Sequence, residues 1–322
     1  MKSSQNILNY LKKNRQATGQ ELSEHLEITD RAVRKQLSTL LKEGLLTKKG
    51  HPPVVYYQLN TNFTQDKAKL SKNILNIINK KYLFITPTGE KLLGFEGFAA
   101  WCQKQNLPVE KTAQEYVEML DKFSKHKRGG VINGLTKLKN TYPKVFLDAL
   151  YYLDFYSIDR FGKTKLGQLL LYAKQSQQIS LMSDLIKDIS PAIEKLIKSK
   201  NITSIGFIPP TVKRQVQFMT ILQKKLKLKI RTVTIKKIKT DVPVPQKSLS
   251  KLTDRIENAN HSIVVSDNTH HNNILLIDDA VGSGATLNET AKQIKQKGIY
   301  DGKIIGLAIT GSFKGFDVIS EV

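Results

Sequence analysis

Two adjacent carboxylates, Asp278 and Asp279, stand between an apolar run, Ile274–Ile277, and a loop of small residues, Gly282-Ser283-Gly284-Ala285-Thr286. An apolar run of this length predicts a buried strand, and Leu287–Lys297 predicts a helix. A parallel strand delivers whatever follows it to the carboxyl edge of a sheet, where ligands bind. The helix after the loop offers unpaired backbone N–H groups and the positive end of its dipole, which suit a phosphate. Glycines let the backbone approach such an anion closely, and the Ser283 and Thr286 hydroxyls add donors. Two carboxylates beside a phosphate would repel it, so Asp278 and Asp279 are read as acceptors for a neighbouring diol or for Mg²⁺. A diol next to a 5′-phosphate is a ribose 5-phosphate. An ordinary strand-to-helix turn capped by Asp and Ser accounts for single pieces of this pattern. It does not account for strand, double Asp, spaced loop and helix together.

The elements that must hold these groups are set by a chain of 322 residues, enough for two or three domains, with 40% hydrophobic residues. The single cysteine, Cys102, excludes an internal disulfide framework and a Cys-rich zinc site, so no zinc is expected. No apolar run is long enough to span a bilayer, and the first residues lack the hydrophobic core of a signal peptide, so the expectation is a cytoplasmic protein with no membrane partner. The formal net charge of +23 favours polyanionic partners, either nucleic acid or phosphorylated small molecules. Between Lys195 and Thr240 stand eleven lysines and two arginines with no Asp or Glu, a stretch that solvated faces alone do not explain.

Residues 1–60 carry three amphipathic helical patterns and two strand patterns. Ile7, Leu8 and Leu11 mark the first helix, and Leu22 and Leu26 mark a second over Gln20–Leu26. Thr29 is the expected N-cap of a third, Asp30–Glu43, stopped by Gly44. Its apolar stripe is Val33, Leu37, Leu40 and Leu41, and Arg31, Arg34, Lys35 and Ser38 fall on the opposite face. Leu45–Thr47 and Val54–Tyr57 predict the strands of a wing whose tip runs from Lys48 and Lys49 to Pro53. The segment resembles small bacterial winged helix-turn-helix regulators. That resemblance implies DNA as a partner, with the third helix in the major groove and Lys48 and Lys49 on phosphate.

Residues 61–150 are expected to be a mostly helical connector, with helices near Ser71–Lys81 and Thr112–Ser124, a turn at Thr86–Glu90, and a basic turn at Lys125–Gly130. In residues 151–322 helical and strand patterns alternate. Strands are expected at Ile202–Ile208, Ile230–Ile235, Ile263–Val265, Ile274–Ile277 and Lys303–Ile309, and helices at Lys163–Ser176, Met182–Lys198, Val212–Leu226, Asp254–Asn260 and Leu287–Lys297. Such alternation predicts a parallel sheet with helices on both faces, so the fold class is α/β preceded by a winged helix.

The Asp278–Thr286 stretch resembles the phosphoribosyl pyrophosphate (PRPP) motif of type I phosphoribosyltransferases. In that family two acidic residues contact the ribose hydroxyls and the next loop wraps the 5′-phosphate. The resemblance implies these roles for Asp278 and Asp279, and for Gly282, Ser283, Gly284, Ala285 and Thr286, with Mg²⁺ arriving with PRPP and meeting Asp278 and Asp279 indirectly. From about Phe155 onward the chain is most similar to the ComF-like branch, through Pro209-Pro210-Thr211-Val212-Lys213-Arg214 after a strand and the spaced Gln246, Leu249, Arg255 and Asn258 before the motif. The resemblance places pyrophosphate at Pro210, Thr211, Lys213 and Arg214, and a mobile hood around Gln246 and Arg255. Members acting on 6-oxopurines carry an acidic general base at the first loop position. Here that position is Gly282, which cannot accept a proton, and no catalytic base is identified.

Three functions follow as expectations. The first is a DNA-binding regulator whose phosphoribosyltransferase-like domain senses PRPP or a related phosphoribosyl nucleotide. The second is an active phosphoribosyltransferase. The third is a ComF-like DNA uptake, processing or phage-defence factor. A homodimer is expected from the habits of both resembled families.

Overall fold

The computed structural model describes residues 2–43, 45–60, 70–212, 214–238, 242 and 244–313. Gly44, the expected helix stop, lies outside them, as does Lys213 of the expected pyrophosphate group. The chain divides into two compact units, Met1–Val117 and Glu118–Val322.

The first unit begins with α1 (Lys2–Asn14), β1 (Gln16–Thr18), α2 (Gly19–Leu26), α3 (Asp30–Lys42), β2 (Leu46–His51) and β3 (Val54–Leu59). Local chemistry sets the helix starts. The Thr18 hydroxyl accepts from the Glu21 N–H while the Glu21 carboxylate accepts from the Thr18 N–H, a reciprocal cap on α2. Thr29 caps α3 by accepting from the Ala32 N–H at 3.3 Å. The apolar stripe of α3 packs with Ile7, Leu11, Leu22 and Leu46 into one core, leaving Arg31, Arg34, Lys35 and Ser38 exposed.

The wing differs from expectation in one respect. β1 joins it as a third strand, and the β2–β3 ladder pairs Lys48 with Tyr57 and Lys49 with Tyr56. Lys48 and Lys49 therefore stand within a strand, and the tip is Pro52 and Pro53. The ladder extends because Gly50 takes φ +89°, where an added Cβ would lie 2.8 Å from the Val54 carbonyl oxygen.

After α4 (Lys72–Lys81), the strands β4 (Leu83–Ile85) and β5 (Lys91–Leu93) pair antiparallel around the Thr86–Glu90 turn, followed by α5 (Gly94–Lys104) and α6 (Val109–Ser124). Tyr82, Phe98 and Tyr116 pack edge-on or tilted at 5.1–5.4 Å between ring centroids, forming an aromatic core. This part was expected to be a mostly helical connector, and the short hairpin is an addition to its helices.

The second unit is built on β6 (Lys127–Arg128), β7 (Val131–Asn133), α7 (Leu135–Thr141), β8 (Ala149–Phe155), α8 (Lys165–Ser176), α9 (Ile179–Ser199), β9 (Ser204–Phe207), α10 (Phe218–Leu226), β10 (Arg231–Val233), β11 (Ile235–Lys237), α11 (Leu252–Ser262), β12 (Ile263–Val265), β13 (Ile274–Val281), α12 (Ala285–Lys297) and β14 (Ile304–Gly311). Among the described residues seven strands form one sheet in the order β10-β9-β13-β14-β8-β7-β6. Its first five strands run parallel, and β7 and β6 run antiparallel at the edge. Ile274–Ile277 are fully buried at its centre, as in a parallel strand covered on both faces.

Three expectations change here. The basic turn at residues 125–130 is the bend of the β6–β7 hairpin, so the sheet reaches into the segment expected to be helical. Helix α10 starts at Phe218, and residues 209–212 and 214–217 lie outside any helix, in place of the first turns of a helix from Val212. The strand expected at 230–235 breaks in two, and β11 leaves the main sheet to pair antiparallel with β12.

Candidate functional site

β13, expected to stop at Ile277, runs on through Asp278 and Asp279 to Val281 at the carboxyl edge of the sheet, and the chain then turns through residues 282–284 into α12. Gly284 makes the turn at φ +80°, a conformation that costs a residue with a Cβ. The first helical N–H groups of α12 therefore face the same edge as the carboxylates. Residues 209–212, which follow β9, and Arg214 lie beside them.

These pieces surround one cavity of about 230 Å³. Of the residues expected in the site, Asp278, Asp279, Gly282, Ser283, Gly284, Ala285, Thr286, Pro210, Thr211, Arg214, Gln246 and Arg255 all line it. The volume is on the scale of a small metabolite.

Four lining residues carry charge or a polar group that the sequence reading missed: Lys174, Lys237, Tyr156 and Gln217. Lys174, on α8, sits 2.8 Å from the Asp279 carboxylate. Lys237, at the end of β11, donates to the Thr211 hydroxyl at 2.6 Å. Burial pushes its pKa down, opposed by nearby Asp278. No local signal marks either lysine, because each arrives from an element more than forty residues before the carboxylates.

Asp278 is the most perturbed group in the cavity. Burial and the adjacent Asp279 charge push its carboxyl up to about 7. The Asp279 N–H, which donates to it at 2.8 Å, and the charges of Lys174 and Lys237 oppose that rise. The cavity wall thus joins two carboxylates to four cationic side chains: Lys174, Arg214, Lys237 and Arg255.

Arg255 is 5% exposed. Its Nε donates to the Leu249 carbonyl at 2.7 Å, while Nη2 has no hydrogen-bond partner among the described residues. Gln246 donates from Nε2 to the Arg255 carbonyl at 2.9 Å and to Asn258 Oδ1 at 3.2 Å, and its Oε1 is likewise unpartnered. A buried donor left unmade costs on the order of 1–3 kcal/mol, more for a charged group, so such an atom calls for a partner from outside the chain. An anion meets the need of Arg255, and a hydroxyl or amine meets that of Gln246.

The acid-free stretch from Lys195 to Thr240 does not fold into one patch. Lys237 enters the cavity, Lys225 donates to the Ser183 hydroxyl at 2.8 Å, and Lys200 lies over the Tyr151 ring at 5.7 Å. Among the described residues no group of three or more His, Cys, Asp or Glu could hold a metal ion, and no helix is long and apolar enough to cross a membrane.

In the first unit the exposed face of α3 presents Arg31, Arg34, Lys35 and Ser38 next to the wing. Residues 4–56 match the family model described as an HTH domain. The chain carries an N-terminal helix-turn-helix domain. This supports a DNA-binding regulatory role. A comparison with curated proteins finds no match.

Proposed function

We propose that the protein is a DNA-binding regulator whose second unit binds PRPP or a related phosphoribosyl nucleotide. The observation that carries this reading is a single cavity in which the Asp278–Asp279 pair faces the Gly282–Thr286 loop, with Arg255 buried in its wall. In this reading the loop N–H groups and the Ser283 and Thr286 hydroxyls take the 5′-phosphate, and Asp278 and Asp279 accept from the ribose diol. Thr211, Arg214 and Arg255 take the remaining phosphates. Two carboxylates are too few to hold Mg²⁺ alone. They fit an ion that brings ligand phosphates and water as its other oxygens. Such an ion would add charge neutralisation between the phosphates and the acidic pair. Arg31, Arg34, Lys35 and Ser38 read DNA, Lys48 and Lys49 contact phosphate from β2, and the regulator works as a homodimer on a two-part site.

Isothermal calorimetry with PRPP and Mg²⁺ tests the site. Asp278→Asn with Asp279→Asn should weaken binding at least about tenfold, and unchanged affinity would remove the carboxylates from it. Repeating the titration with DNA present measures the coupling, expected at about 1–3 kcal/mol.

One observation favours an active phosphoribosyltransferase as the second reading. The same cavity gathers Lys174, Arg214 and Lys237 beside Thr211 and the acidic pair, cations that would hold a departing pyrophosphate. Release of pyrophosphate from PRPP across a panel of bases separates the two readings.

A further inference from the structure

The second unit has another cavity, of about 790 Å³, at the antiparallel edge of its sheet. None of its lining residues lines the first cavity. The two therefore serve different ligands or different parts of the protein's work.

Its wall is cationic on every side. Lys125 follows α6, Arg128 comes from β6, Lys137 from α7, and Lys195 and Lys200 from the end of α9. No Asp or Glu lines it. Asp154, the carboxylate of β8, is turned to Lys127 at 3.7 Å and is not part of the wall. Arg128 and Lys195 are exposed and form no ion pair among the described residues. Lys125 meets Asp121 at 3.9 Å, but Arg128, Lys195 and Lys200 form no ion pair among the described residues and repel one another. The fold bears that cost at a place where a polyanion would remove it.

The floor is aromatic. Tyr151 and Phe313 are partly exposed, and each carries a lysine over its ring, Lys200 at 5.7 Å and Lys137 at 5.4 Å. Tyr152 is 1% exposed, and its Oη has no hydrogen-bond partner among the described residues. The ring is held in place by close packing: a Cβ on Gly134 would come within 2.5 Å of that oxygen, and one on Gly311 within 2.4 Å of the ring. The hydroxyl cannot turn away to find another partner.

We infer that this groove binds a single-stranded nucleic-acid segment, with phosphates on the lysines and arginine and bases against Tyr151 and Phe313. Positive walls that track a backbone and aromatic faces that take unpaired bases are the two requirements of such sites. A duplex keeps its bases stacked inside and cannot use an aromatic floor. A lone phosphate leaves most of the volume unfilled.

The test uses the full chain and a fluorescent oligothymidylate of about twelve nucleotides, followed by anisotropy across a salt series. Arg128→Glu with Lys195→Glu should weaken binding more than about tenfold and flatten the slope of log K against log salt by about 1.4 for two lost phosphate contacts. Arg34→Ala with Lys35→Ala measures what the other unit contributes to the same signal, and a slope that falls only in that variant would overturn the inference. Ultraviolet cross-linking of the unaltered chain, which needs no variant to fold, should map to the peptides containing Tyr151 or Phe313. Unchanged affinity and slope in the charge-reversed chain, or cross-links confined to residues 30–42, would overturn the inference. So would competition by ATP at equal nucleotide concentration, which would make the groove a mononucleotide site. Binding that appears only after removal of residues 314–322 would give the groove to the chain's own end, with Asp317 and Glu321, and overturn it as well.

Discussion

Replacing Asp278 by asparagine should make the second unit more stable at alkaline pH while weakening its ligand binding. In the folded chain burial and the Asp279 charge raise the Asp278 carboxyl from 3.8 to about 7. A carboxyl whose pKa is higher folded than unfolded holds its proton more tightly in the folded state. Between those two values the folded chain binds more protons than the unfolded one, so the free energy of unfolding falls as pH rises. Below 3.8 both states are protonated and the group costs nothing. Above about 7 the cost is fully present, and the interval at roughly 1.4 kcal/mol per pH unit comes to about 4 kcal/mol.

Asparagine has nearly the same shape and keeps an acceptor for the Asp279 N–H, which now donates at 2.8 Å, but it cannot ionise. The value of about 7 already contains the opposing attraction of Lys174 and Lys237. The expected result is about 2–4 kcal/mol of added stability at pH 8 and a difference near zero at pH 4. Trp101, the only tryptophan, belongs to the first unit, so its fluorescence reports the wrong part of the chain. Hydrogen exchange of the Ile274–Ile277 amides, corrected for the intrinsic rate at each pH, reports β13 directly. Equal protection in the variant and the unaltered chain at pH 8 would refute the reasoning, as would a gain equally large at pH 4. A site that holds two carboxylates together at a cost in stability is expected where function requires it.

Arg34→Ala with Lys35→Ala should lower duplex affinity at least about tenfold and reduce the salt slope by about 1.8, with PRPP binding intact; gel shift across a salt series and calorimetry check the two halves. Thr29→Ala removes the hydroxyl that accepts from the Ala32 N–H and should cost the helix-turn-helix domain about 1 kcal/mol, read by Trp-independent urea unfolding of α3 amides in hydrogen exchange. Gly284→Ala forces a Cβ into φ +80° and should cost about 1–2 kcal/mol together with affinity for PRPP, measured by thermal shift and calorimetry. Loss of binding with no change in melting temperature would show that the loop backbone is not under the constraint argued for it.

The helix-turn-helix domain was readable in the chain because its signals are local. A cap such as Thr29 lies within three residues of the group it satisfies, and the stripe Val33-Leu37-Leu40 repeats at the period of one helix. The same holds for the strand, carboxylate pair and loop at Ile274–Thr286, which are contiguous. Errors arose where partners are remote in sequence. Arg128 joins the sheet only because β7 finds β8, and Lys48 lies in a strand because β2 and β3 pair to their ends. Val212 was expected to start a helix, yet residues 209–212 and Arg214 stay outside any helix and line the cavity. Periodicity cannot report which edge a strand will pair with, since that depends on packing summed over the whole sheet.

Residue order alone thus determined that a glycine-rich turn and an acidic pair would share one sheet edge, because a strand, a turn and a helix leave few alternatives. Tertiary structure alone decided which charges meet them. It brought Lys174 and Lys237 to the carboxylates, left Arg255 Nη2 without a partner, and divided the lysines of residues 195–240 between one cavity and another. The physical reason is that a charge acts through distance in space, and distance along the chain does not reveal it.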